Sequence, residues 1–117
     1  MNKLLLILLS LPLIGFGQNV NIPDTNFKTY LIGEPLINTN GDSEIQVSEA
    51  NIFNGTIWCE NMNITDLTGI EDFTALTELH CSSNQLTSID VSQNTALTVL
   101  NCGSNNLTTL DVSNNTA

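Results

Sequence analysis

The chain has 117 residues, twelve Asp and Glu against two Lys and Arg, and a net charge of −10. With no cluster of basic side chains to hold phosphate, nucleic acid is excluded as a partner, and the length admits at most one domain. So acidic a surface attracts cations and cationic surfaces instead.

Met1-Asn2-Lys3 is a short positive start, Leu4 to Ile14 an apolar run, and Gly15-Phe16-Gly17 a small-x-small cleavage site. Together they predict a secretory signal peptide over residues 1–17 and a mature chain starting at Gln18. An apolar run of eleven residues falls short of the roughly 20 that cross a bilayer. A retained anchor is therefore the weaker alternative, and no transmembrane segment is expected after cleavage. Without Lys3, Lys28 is the only basic side chain left.

Residues 18–52 predict an N-terminal cap. Asp24 suits a helix N-cap, Phe27, Tyr30 and Leu31 share one helical face, and Gly33 with Pro35 end the helix. Further on, NTNGDSEIQVSE, Asn38 to Glu49, has the spacing of a cation loop. Asn38, Asn40 and Asp42 take positions 1, 3 and 5, the Glu44 carbonyl position 7, Ile45 the apolar eighth slot and Glu49 the acidic twelfth. The stretch resembles an EF-hand or dockerin-like loop, and the resemblance implies calcium as a weakly held cofactor. It departs from the pattern at Asn38, where Asp is usual, and at Ser43, where glycine is usual. The other reading is a plain turn whose side chains satisfy their own backbone.

Residues 53–74 carry TIWCENMNITDLTGIEDFT, a rough first copy of a phrase that the rest of the chain writes twice, with Ile57, Cys59, Ile64, Leu67 and Ile70 as its apolar framework. The two regular copies are ALTELHCSSNQLTSIDVSQNT in residues 75–95 and ALTVLNCGSNNLTTLDVSNNT in residues 96–117. Leu76, Leu79, Cys81, Asn84, Leu86 and Ile89 recur in register as Leu97, Leu100, Cys102, Asn105, Leu107 and Leu110. This pattern resembles the leucine-rich repeat. The D-V-S-x-N-T tail and the framework cysteine look like those of secreted bacterial members, and I-T-D-L-T-G-I is similar to internalin repeats.

The resemblance implies an α/β solenoid: short parallel strands on the concave face, a mostly non-helical convex side and a small helical N-terminal cap. Along each strand side chains alternate, so Leu79 and Cys81 point inward while Glu78, His80 and Ser82 point out. Asn84 and Asn105 are expected to turn inward and pair backbone groups of adjacent coils. Cys59, Cys81 and Cys102 fall 22 and 21 residues apart at one point of the repeat, which favours stacked free thiols over a disulfide or a zinc site. The array is expected to be truncated, because nothing after Thr116 supplies a closing cap.

Stacking would align Trp58, His80 and Asn101 in one outward row, Thr56, Glu78 and Val99 in a second, and Glu60, Ser82 and Gly103 in a third. An exposed Trp beside a His suits an interface, although Trp58 could equally pack beneath the cap helix. His80 is the only histidine, and no nucleophile has an evident base, so catalysis is not expected. The expected function is an extracellular or cell-surface binding module that contacts a protein or a surface glycan through its concave face. The alternative is a calcium-stiffened spacer that displays other domains.

Overall fold

The computed structural model describes residues 17–117, so the predicted leader lies outside the described residues except for Gly17. In chain order the elements are helix α1 (Thr25–Gly33), the single turn α2 (Val47–Ala50), strand β1 (Thr56–Trp58), a 3₁₀ turn (Ile70–Asp72), and strands β2 (Glu78–His80) and β3 (Val99–Asn101). Among the described residues no helix is long and apolar enough to cross a membrane.

The strands form one parallel sheet in the order β1-β2-β3, in register from coil to coil. Thr56 pairs with Glu78 and Glu78 with Val99, Ile57 with Leu79 and Leu79 with Leu100, Trp58 with His80 and His80 with Asn101. A half-buried strand puts alternate side chains on opposite faces, so Ile57 and Leu79 are fully buried between residues that face out. The ladder continues past the strands by a constant step: Cys59 N–H donates to the His80 carbonyl and Cys81 N–H to that of Asn101, both at 2.8 Å.

Asparagines close the interior. The buried Asn84 side chain accepts from the Met62 and Ile64 N–H groups at 3.0 Å and donates to the Cys59 and Cys81 carbonyls at 2.9 Å. Asn105 repeats this one coil later, accepting from Leu86 N–H and donating to the Cys81 and Cys102 carbonyls. A second asparagine ladder runs along the return side. Asn94 donates to the Ile70 and Phe73 carbonyls, and Asn115 to those of Val91 and Asn94. From its composition alone, that part of the repeat reads only as turn-forming.

The N-terminal segment is tied to the first coil by one carboxylate with two tasks. Asp24 Oδ1 caps α1 by accepting from the Asn26 and Phe27 N–H groups, while Oδ2 accepts from the N–H and hydroxyl of Thr65. Burial raises the pKa of Asp24, but these four hydrogen bonds outweigh it and hold the carboxyl below its usual value. Phe27 and Leu31, both fully buried, join the core that runs through Ile57, Leu76 and Leu79 to Leu97. Gly69 has φ +110°, and a Cβ there would lie 2.9 Å from the Asn21 carbonyl oxygen, so only glycine lets residues 20–22 lie against this coil. In the third repeat Leu100, Cys102 and Leu107 are only partly buried and Leu110 is 44% exposed, since no further coil stacks on β3 among the described residues.

Candidate functional site

The outward sheet face gathers the residues expected to bind. The Trp58 indole lies flat on the His80 ring, with centroids 4.2 Å apart and planes 9° apart. The in-register pairing of β1 with β2 causes this, because it sets the two side chains one strand apart on the same face. Trp58 Nε1 donates to Glu60 Oε2 at 3.2 Å, which fixes the indole in its plane. His80 Nε2 meets Glu78 Oε2 at 3.2 Å, and the His80 side chain is 14% exposed against 41% for Glu78. Asn101 bridges the coils, donating to Glu60 Oε1 at 3.4 Å and accepting the Ser82 hydroxyl at 2.6 Å. Thr56 and Val99 are exposed in the adjacent row.

Trp58 is 56% exposed although α1 reaches its backbone. Its N–H donates to the Tyr30 phenol oxygen at 2.8 Å, so the helix holds the strand edge and leaves the indole open. Burial raises the Tyr30 pKa, opposed by this hydrogen bond and reinforced by Glu34 and Cys59. Glu60 belongs to the third outward row, two residues along from Trp58 on the same face, although its bond to the indole was not foreseen; the Tyr30 contact was missed, because it joins residues 28 apart and no local pattern signals it.

The loop predicted to hold calcium is closed by its own hydrogen bonds. Glu49, buried, accepts from the N–H groups of Thr39 and Asn40 and the Thr39 hydroxyl on one oxygen and from Gln46 N–H on the other. Asp42 accepts from Glu44 N–H, Asn40 Nδ2 and Gln46 Nε2, and Asn40 Oδ1 accepts from Asp42 N–H. The Asn38 amide nitrogen donates to the Ile32 and Asp42 carbonyls, and the Glu44 carboxylate pairs with Lys28 at 2.9 Å. Asn38 Oδ1 is buried without a partner, as are the Oδ1 atoms of the ladder residues Asn94 and Asn115, so it does not single this loop out. The side-chain oxygens of Asn40, Asp42 and Glu49 already accept from donors of the loop itself, whereas Asn38 Oδ1 accepts from none, so the loop stands as a self-closed turn that a seven-coordinate cation would have to reorganise. Among the described residues no three His, Cys, Asp or Glu converge as a metal site.

The cysteines are free thiols, with Cys59 and Cys81 buried and Cys102 half-buried. Burial pushes the Cys59 and Cys81 thiols up to about 12.

A 21-residue period, an in-register parallel sheet and asparagines bridging successive coils define a leucine-rich repeat fold. Residues 74–116 match the family model for leucine rich repeats in two copies. Internalin J of Listeria monocytogenes serotype 4b (strain F2365) is 42% identical over 83 residues, 68% of this chain and 9% of internalin J. The solved functional domain of InlJ from Listeria monocytogenes, described as including a cysteine ladder, superposes with a TM-score of 0.70 at 39% identity over 85% of this chain and 22% of that one. An internalin (inlF) from Listeria monocytogenes shares the fold, with a TM-score of 0.71 at 21% identity over 85% of this chain and 30% of that one. The chain is an internalin-like leucine-rich repeat protein, and it spans about a tenth of the length of the curated relative it matches.

Proposed function

We infer that the chain is a binding module acting outside the cell, released or at the cell surface, and that the outward, concave face of its sheet recognises a protein or a surface glycan. The supporting observation is Trp58: a large aromatic, 56% exposed, held flat by His80 and by its N–H bond to Glu60. An exposed indole already stacked and hydrogen-bonded has less rotamer freedom to lose on binding, which is the property of an interface anchor. The internalin likeness supports the same class and argues against an enzyme, as does the lack of any nucleophile with a base in the sequence.

Trp58→Ser tests this. Because most of the side chain is exposed, the substitution should cost about 1 kcal/mol of stability, seen as a small drop in thermal midpoint. Ligands retained by the intact chain on panels of immobilised surface proteins and glycans should be lost. Equal retention by the variant would overturn the assignment, and a large stability loss would instead make Trp58 part of the cap packing.

A further inference from the structure

We propose that the outward face is built to seat a guanidinium, so that the partner presents an arginine from a basic segment to the open face of Trp58 beside Glu60. This rests on the recognition face inferred above and names its partner class. Three observations carry it.

The first is the orientation of the indole. One ring face is covered by His80 on β2, and β1 is the first strand of the sheet, so the opposite face looks away from the sheet and accounts for the exposure of Trp58. An open indole face is the strongest side-chain site for a cation. The second is the placement of carboxylate oxygens. Glu60 stands beside the ring, its Oε2 on the indole N–H and its Oε1 engaged only by a long 3.4 Å contact from Asn101. Glu78, 41% exposed, has one oxygen on His80 and so stands on the covered side of the ring, where it adds negative potential without reaching the open face. A carboxylate offers about four acceptor positions, so Glu60 retains capacity for a charged donor.

The third is the lack of internal compensation. Lys28 is the only Lys or Arg among the described residues, and it pairs with Glu44 in the N-terminal segment, so no Lys or Arg of this region reaches the sheet face. A net charge of −10 extends that field over the molecule and repels acidic glycans. Arginine fits better than lysine because a planar guanidinium stacks on an indole while its fork reaches a carboxylate, and it sheds water more readily than an ammonium.

Trp58 is the only tryptophan of the chain, so its fluorescence reports on this site alone. The full chain is titrated with acetyl-Gly-Arg-Gly-Arg-Gly-amide, with a twin carrying citrulline, the uncharged isostere, and with a neutral oligosaccharide. The arginine peptide should give a saturable change that weakens as salt rises, and the citrulline twin none. Glu60→Gln should weaken the arginine response roughly two- to five-fold, and Glu78→Gln, behind the His80 ring, less than about two-fold, both near-isosteric and with an unchanged thermal midpoint. Equal responses to arginine and citrulline, or a response unmoved by Glu60→Gln, would overturn the proposal. A saturable response to the oligosaccharide alone would also overturn it while leaving the recognition face intact. Panel ligands that survive Trp58→Ser would remove both.

Discussion

Asn84 shows how much one side chain can settle in a thin repeat. Its amide serves four main-chain groups of two coils, all in an interior where water cannot substitute. Leaving buried donors and acceptors unpaired costs about 1–3 kcal/mol per group, only partly relieved by relaxation, so Asn84→Ala should lose about 3 kcal/mol in urea unfolding. Asn105→Ala, at a half-buried site with one acceptor bond fewer, should lose about half as much. The role of Asn84 was legible because the amide falls at a fixed place in a recurring framework. That of Asn94 was not, because an asparagine among Asp, Ser and Thr has the composition of a turn whichever way its side chain faces. The cysteines allow a second test. With Cys59 and Cys81 pushed to about 12 and Cys102 half-buried, iodoacetamide at pH 8 should label Cys102 first, as mass spectrometry of the native protein would show. A raised thiol pKa favours the folded state below the unfolded value and withdraws that stability above it. Unfolding free energy should therefore fall between about pH 9 and 12, by up to about 1.4 kcal/mol per pH unit for each buried thiol.

Among the elements, the strands and α1 were the most legible. Alternation fixed which residues of β1 to β3 face inward, and Asp24 with Phe27 and Leu31 marked the start and buried face of the helix, which ends at Gly33. The loop from Asn38 to Glu49 was harder, because oxygen-bearing residues at alternate positions suit a cation and a self-closed turn equally well. What separates the two is whether donors reach the same oxygens, and that depends on where Gln46 and the Thr39 and Asn40 amides sit after folding. Glu49 also forms a capping box with Gln46 at the start of α2, so its carboxylate already has the role that a twelfth-position ligand would need. Thermal unfolding followed by circular dichroism should accordingly give the same midpoint in chelator and in millimolar calcium. Glu49→Gln should cost about 2–3 kcal/mol in both conditions, because an amide nitrogen would then face backbone donors. A midpoint that rises with calcium in the parent chain and not in the variant would restore the cation loop and the spacer function that goes with it.

At the scale of the whole molecule, stability is graded along the stack, because each coil is held by the coils on either side. β1 has α1 against its edge through Tyr30 and Trp58, and β2 lies between two strands, whereas β3 has one neighbour. The ladder makes the gradient concrete. Cys59 N–H is covered by the His80 carbonyl and Cys81 N–H by the Asn101 carbonyl, and the equivalent donor one coil later is Cys102 N–H, which has no coil beyond it among the described residues. Side-chain burial has the same order, since Leu79 and Leu86 are fully enclosed while Leu100 and Leu107 are partly open and Val112 is 48% exposed. Local opening draws on the region with the fewest enclosed apolar groups, so native-state hydrogen exchange should rank these amides, with Cys59 and Cys81 slow and Cys102 faster by orders of magnitude. Joining one more copy of residues 97–117 after Ala117, which keeps the 21-residue register, should slow exchange at Cys102 to the rate of Cys81 and leave Cys59 unchanged. Equal protection of all three in the parent chain would mean that the stack opens as one unit. The exposure of β3 would then carry no energetic weight, and the recognition face around Trp58 would be no more firmly held than the opposite end.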